Sequence, residues 1–216
     1  MITSSTLRVA LFGSYYRGFC VLNELLYGPL SQSIHVVGVA TDDPKESFVN
    51  AKNRVWQYPH LESEEKMVRK LAISQGIETY TERVKTPAFY DLFESQWRPD
   101  ICIMATFGQR IDQRLYSYPA LGFFNLHPSD NGEWPSRYAG SNPFDQLIRE
   151  GAQSCVISMH HVDDGFDTGK RIAVSETIYL PHDADVTTLH KISSPIAALL
   201  VREQLQRILQ TANRND

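Results

Sequence analysis

The chain has few cysteines, no excess of positive charge, no long apolar run and no complete glycine fingerprint, and each of these absences removes a functional class. Its three cysteines, Cys20, Cys102 and Cys155, are odd in number, far apart and set in apolar stretches. That usage argues against a disulfide framework or a cysteine zinc site and reads as buried, reduced thiols of a cytoplasmic protein. Lysine and arginine total 21 against 25 aspartates and glutamates, a formal net charge of -4. No basic footprint is present for a polyanion, so nucleic acid is not expected as a partner. No stretch approaches the roughly 20 apolar residues that span a bilayer, and Met1 to Thr6 carry neither the charged nor the apolar region of a secretory leader. A membrane partner is not expected either. The segment Gly13-Ser14-Tyr15-Tyr16-Arg17-Gly18 stands where a dinucleotide turn would stand but lacks the G-x-G-x-x-G spacing, which argues against a nicotinamide-dependent oxidoreductase.

What is present is an alternation of strand-like and helix-like segments, in 216 residues of which 42% are hydrophobic, enough for one full core. Leu7 to Phe12 is a short apolar run ending at Gly13, and apolar positions from Phe19 to Leu26 fit a helix ended by Gly28. Ile34 to Ala40 reads as a strand, followed by a long loop through Trp56 and Pro59. A helix opens at Ser63 and runs to Gly76, a strand covers Ile77 to Thr81, and Thr86-Pro87-Ala88 starts a helix with proline in its first turn. Asp100 to Thr106 is apolar enough for a strand buried on both faces. Farther on, Gly122 to Ser129 and Ser154 to Asp163 read as strands flanking a short helix over Asn142 to Gly151. Arg171 to Leu180 alternates like a strand with one wet face. A helical pattern runs from Val186 to the C-terminus, with Pro195 expected to kink or divide it. The order implies an α/β domain over 1–216 with a mostly parallel sheet and right-handed crossovers. The apolar C-terminal helix would suit a homodimer as readily as the core.

The chemistry-bearing residues cluster in the second half. Asn125 and His127 are two apart on a strand and project to the same side of it. An amide that can hold a developing oxyanion, beside a ring that titrates near neutrality, suits acyl transfer. A carboxylate would orient that ring, and the turn Asp163-Asp164-Gly165-Phe166-Asp167-Thr168-Gly169 offers three. Asp163 ends a strand and is the expected partner, whereas Asp167 is expected to bond its own turn. His160 and His161 point to opposite faces of a strand and do not converge on a metal, so no metal is expected. The Gly13 to Gly18 segment reads either as a plain strand-to-helix turn or as a ligand loop at the sheet edge.

Thr106-Phe107-Gly108-Gln109, Asn125-Leu126-His127-Pro128-Ser129, Tyr138-Ala139-Gly140-Ser141-Asn142-Pro143 and Asp163 to Gly169 occur in an order and spacing that resemble the formyltransferases that use N10-formyltetrahydrofolate. The likeness extends over about residues 7–182. It implies a Rossmann-like sheet flanked by helices with a C-terminal helix. It also implies N10-formyltetrahydrofolate as co-substrate and Asn125, His127 and Asp163 as the catalytic trio. By the same resemblance Phe107, Gln109, Arg110, Ile111 and Asp164 would hold the folate. The chain departs from the family in the loop Ser129 to Gly140, which is longer and aromatic. Trp134, Arg137 and Tyr138 of that loop either shape an acceptor pocket, with Ser14 and Tyr15 as further expected contacts, or belong to a loop that only packs against the sheet. The C-terminal barrel of full-length initiator-tRNA formyltransferases is not found in this sequence, and the acidic balance disfavours tRNA.

The expected function is therefore transfer of a formyl group to the amine of a small molecule, such as a nucleotide-linked amino sugar or a secondary metabolite. A formyltetrahydrofolate hydrolase, with water as nucleophile, and a folate- or nucleotide-binding protein without catalysis are the alternatives.

Overall fold

The structure, a computed structural model, describes residues 6–49, 54–130, 132 and 134–212. Residues 1–5, where a secretory leader was sought, and Asn131 and Glu133 of the aromatic loop lie outside the described residues. In chain order the elements are β1 (Leu7–Gly13), α1 (Tyr15–Tyr27), β2 (Ile34–Ala40), α2 (Glu62–Glu65), α3 (Met67–Ser74), β3 (Thr79–Tyr80), α4 (Pro87–Asp91) and β4 (Ile101–Ala105). There follow α5 (Gln113–Tyr116), β5 (Phe123–Ser129), α6 (Pro143–Arg149), β6 (Ser154–His161), β7 (Arg171–Val174), β8 (Ile178–Tyr179) and α7 (Val186–Ala212).

The strands form one sheet in the order β3-β2-β1-β4-β5-β6-β7, with β8 pairing the start of β6. Pairs from β3 to β5 are parallel, and β6 runs antiparallel to β5, β7 and β8. The chain first winds outward through β2 and β3, then returns to the other side of β1 with β4. That reversal opens a crevice at the carboxyl ends of β1 and β4, where open sheets of this kind place their ligands.

The two faces of the sheet are packed differently. Val9 and Leu11 of β1 join Val21 and Leu22 of α1 and Leu189, Ala197, Val201 and Leu205 of α7 in an aliphatic layer. Ala10 and Phe12, on the alternate face, meet Phe89, Phe93, Trp97, Phe107 and Phe123. Phe12 sits at the hub of this aromatic layer, with five ring centroids 4.9 to 6.4 Å away. The Trp97 indole explains the glycine in β2, because a Cβ on Gly38 would come within 2.0 Å of that ring. Burial of a large aromatic of this kind is worth about 3–5 kcal/mol against truncation to alanine.

Where expectation and structure differ, local bonding gives the reason. The helix expected from Ser63 to Gly76 is two pieces, because Glu64 turns back to accept the Leu61 N–H at 2.7 Å and the Tyr16 hydroxyl, and the backbone restarts at Lys66. The strand expected over Arg171 to Leu180 is broken at Ser175, whose hydroxyl takes the Ile157 N–H at 2.9 Å in place of a ladder carbonyl. The third strand shrinks to Thr79–Tyr80. Pro195 does not divide α7, whose buried positions pack on α1 and the sheet on both sides of the proline. Among the described residues no helix is long and apolar enough to cross a membrane.

Candidate active site

The carboxyl end of β4 and the middle of β5 open onto a cavity of about 490 Å³. One wall is the segment Thr106 to Ile111 after β4, a second is Asn125 to Pro128 of β5, and a third is the turn after β6. Arg17 of α1, the stretch Gly140 to Phe144 and His190 of α7 complete it. Thr106 (φ 60°) and Asp167 (φ 54°) both adopt left-handed backbone at this cavity. Such conformations cost about 1–3 kcal/mol for ordinary residues and gather at functional sites.

The antiparallel register of β5 and β6 builds the polar centre. Asn125 lies opposite His160 and His127 opposite Ser158, so Asn125, His127 and His160 share one face. Asp167 completes the group. Its carboxylate accepts the Asn125 amide hydrogen at 2.8 Å and the Gly140 N–H at 2.8 Å. It lies 3.4 Å from His127 Nδ1 and 3.4 Å from His160 Nε2.

This reverses the expectation for the acidic turn. Asp163, expected beside His127, instead spends its carboxylate on the Gly165 N–H at 3.0 Å and the Thr168 hydroxyl at 2.8 Å. Bonding the N–H two residues ahead is the local habit of an aspartate that opens a turn. Asp167, expected to make that local bond, is swung inward by its left-handed backbone and becomes the partner of Asn125 and His127.

Hydrogen-bond chemistry assigns the ring protons. His127 Nε2 lies 2.8 Å from the Tyr138 carbonyl, which can only accept, so that nitrogen carries a hydrogen. By the same argument His160 donates from Nδ1 to the His161 carbonyl at 2.8 Å, and its Nε2 accepts from the Asn125 amide at 3.2 Å. Both amide hydrogens of Asn125 are thus engaged. Burial pulls the His127 pKa below the usual histidine range, against the opposing charge of Asp167. Burial pushes Asp167 upward, but the neighbouring His160 and His127 rings and the Gly140 N–H outweigh it and hold the acid at about 2. The result is a carboxylate that stays ionised beside a ring that is neutral at neutral pH.

Of the five residues expected to hold folate, Phe107, Gln109, Arg110 and Ile111 line the cavity, and Asp164 does not. Gln109 also ties down the loop before α4, accepting the Val84 N–H at 3.1 Å and donating to the Glu82 carbonyl at 2.9 Å. Arg110 donates to the Asp164 carbonyl and lies 4.9 Å over the Phe166 ring, joining the two walls. Asp164 therefore acts here through its backbone.

None of the five expected acceptor contacts reaches the cavity. Ser14 is buried and accepts the Asp42 N–H at 2.9 Å, and Tyr15 packs against Trp56 and His190. Trp134 donates to the Gly169 carbonyl at 2.8 Å and covers His160 at 5.0 Å, so it roofs the polar group. Arg137 is exposed and pairs with Asp130 and Glu150. Tyr138 is buried and serves His127 through its carbonyl, with its hydroxyl bonded to Glu150. The aromatic loop thus positions and covers the site.

His160, Gly140, Arg17 and His190 were not foreseen as site residues. His160 had a signal, since a strand pairing that opposes it to Asn125 puts both on one face. Arg17 had only the reading of Gly13 to Gly18 as a ligand loop, which did not single it out, and His190 had none, because helical spacing names a face but not what another helix brings to it.

The family model for formyl transferases matches residues 8–203. The chain is 30% identical over 130 residues to the methionyl-tRNA formyltransferase of Syntrophomonas wolfei, a match covering 60% of this chain and 40% of that protein. It is 32% identical over 120 residues to that of Syntrophus aciditrophicus, covering 55% and 36%. The matches thus span about two fifths of the length of these curated relatives. Among solved structures, phosphoribosylglycinamide formyltransferase from Anaplasma phagocytophilum superposes with a TM-score of 0.70 at 16% identity, over 96% of this chain and 89% of that one. A formyltetrahydrofolate deformylase from Pseudomonas syringae pv. tomato gives 0.66 at 18% identity, over 94% and 62%. These two likenesses concern the fold. The extent of the family match, on a cavity walled by the strand ends, shows that the chain belongs to the formyl transferase family.

Proposed function

We propose that this chain transfers a formyl group from N10-formyltetrahydrofolate to the amine of a small-molecule acceptor through a tetrahedral intermediate. The observation that carries it is the convergence of Asn125, His127 and an ionised, buried Asp167 at the wall of one cavity. The folate supplies an activated formyl carbon. Phe107 to Ile111 and the turn after β6 form the slot that would receive its pterin end, with Arg110 bridging the two.

The amine nitrogen bonds to the formyl carbon, and the carbonyl electrons move to oxygen. Asn125 then exchanges its longer bond, the 3.2 Å one to His160, for that oxyanion, while Asp167 keeps the amide oriented. His127 takes the amine proton at Nδ1. Once it does, both ring nitrogens are donors, and each has its acceptor already in place, the Tyr138 carbonyl on one side and Asp167 on the other. Returning that proton to N10 as its bond to carbon breaks releases tetrahydrofolate and the formamide. The acidic balance of the chain favours a compact acceptor over tRNA, although curated relatives are named for methionyl-tRNA.

The test is an assay of tetrahydrofolate release from N10-formyltetrahydrofolate against a panel of amines. Release that depends on one class of amine and is abolished by Asp167→Asn and His127→Ala supports the reading. Release of formate without any amine would mark a hydrolase, and folate binding without turnover a binding protein.

A further inference from the structure

Among the described residues, Arg17 is a buried cation without a counter-charge. It is 3% exposed, yet it borders the cavity. Its guanidinium reaches only neutral acceptors, all at 3.4 Å: the Thr106 hydroxyl, the Leu126 carbonyl and the Ser193 hydroxyl. Charge-assisted bonds of a satisfied arginine run nearer 2.7–2.9 Å, so these are loose. Arg17 Nε has no hydrogen-bond partner among the described residues, and neither has the neighbouring His190 Nδ1. Among the described residues, the titratable groups that bear on Arg17 are the Cys155 and Cys20 thiols, which burial keeps protonated, and no carboxylate is among them.

Burying a guanidinium this way is expensive unless a negative group completes it. The residues around it are held as a socket. His190 stands edge-on between Tyr15 at 5.5 Å and Phe144 at 4.9 Å, and the Phe144 ring also faces the guanidinium at 5.6 Å. The position of the socket identifies what fills it. Leu126, whose carbonyl Arg17 touches, is the residue between Asn125 and His127, so an anion at Arg17 lies within a few bonds of the reacting amine. The donor slot runs along Phe107 to Ile111, beginning one residue after Thr106, whose hydroxyl Arg17 also reaches.

We infer that Arg17, assisted by His190 and Ser193, binds an oxyanion carried by the formyl acceptor, which is therefore a compact amine with a carboxylate or phosphate a few bonds from its nitrogen. This rests on the reading of the cavity as a formyl-transfer site and narrows it. Arg17 is then a specificity determinant and takes no part in the bond changes.

The experiment compares matched amines in the tetrahydrofolate-release assay: glycine with glycinamide, and phosphoethanolamine with ethanolamine. The member that carries the carboxylate or phosphate should be favoured at least about tenfold in kcat/KM in at least one pair, and which pair responds separates carboxylate from phosphate. Arg17→Met should collapse that preference by roughly ten- to hundredfold, the worth of a hydrogen bond to a charged partner, with the loss in the acceptor's KM. Arg17→Lys should restore part of it. Equal use of both members of each pair, or a preference that survives Arg17→Met, overturns the inference. So does a loss confined to the KM of the formyl donor, which would assign Arg17 to the donor's own carboxylates. If no amine is turned over, the transfer reading fails first, and the socket is judged by thermal stabilisation with inorganic phosphate and with acetate. Saturable stabilisation of the wild type that Arg17→Met removes keeps the inference, and no stabilisation by either anion sinks it.

Discussion

The two ends of the turn after β6 carry aspartates four positions apart in one acidic segment, and they do opposite work. Asp163 faces its own turn, where Gly165 and Thr168 occupy its carboxylate. Asp167 faces the sheet, where Asn125, Gly140 and two histidines occupy its own. Side-chain chemistry is identical at both ends, so the difference is one of backbone. A left-handed residue at Asp167 aims its carboxylate inward, while Asp163, two residues past the end of β6, stays with its own turn. A carboxylate becomes useful here by being desolvated among donors, and not by standing next to the motif in sequence.

The comparison breaks most sharply at Asp167. Asp167→Asn keeps the volume but removes the charge that awaits the His127 proton, and should lower kcat by about 10²–10⁴, as loss of general acid–base assistance does. Single-turnover measurement with N10-formyltetrahydrofolate and a working acceptor would check it. A loss equal to that of Asp163→Asn would overturn the ranking. His160→Ala should come next, costing roughly three- to tenfold, the range expected when one hydrogen bond between neutral groups is lost.

A pH profile sharpens the same comparison. His127 acts as a base and burial lowers its pKa, so activity should hold as pH falls through about 6.5, the ordinary histidine value, and fail only below it. In Asp167→Asn the acid limb should move lower still, because the carboxylate favours the charged ring. Stability responds with the same sign. Asp167 is held at about 2 in the fold, so its contribution, roughly 2 kcal/mol from that shift, is complete above its unfolded value near 4. It is lost as pH falls toward 2. Thermal melts between neutral pH and pH 2 should show this loss in the wild type and a shallower one in Asp167→Asn. The smallest effect is expected of Asp163→Ala, within about threefold in kcat/KM, with a drop in melting temperature of a few degrees from the lost turn bonds.

Much of this was legible without the structure. Ile34 to Ala40 is the observed β2 to the residue, and the strands around Leu7, Ile101, Phe123 and Ser154 differ only at their ends. Thr86 caps α4 through the Phe89 N–H at 3.2 Å, with Pro87 in the first turn as its sequence predicts. These elements are readable because their signals are local: β-branched runs, a cap and a proline. The breaks at Lys66 and Ser175 were not, since they depend on Tyr16 and Ile157, which lie far away in the chain.

By itself the sequence determined the strand–helix alternation, the polar pair Asn125 and His127 on one strand face, and an acidic turn within reach of it. The tertiary structure alone decided which aspartate joins the pair, that His160 lies opposite Asn125, and that the aromatic loop covers the site without lining it. It also decided that Arg17 and His190, from helices far apart in sequence, meet at the same cavity. The physical reason is common to all four. Strand and helix signals arise from neighbours along the chain, whereas orientation of a buried polar group is set by donors and acceptors that only folding brings within 3 to 4 Å of it.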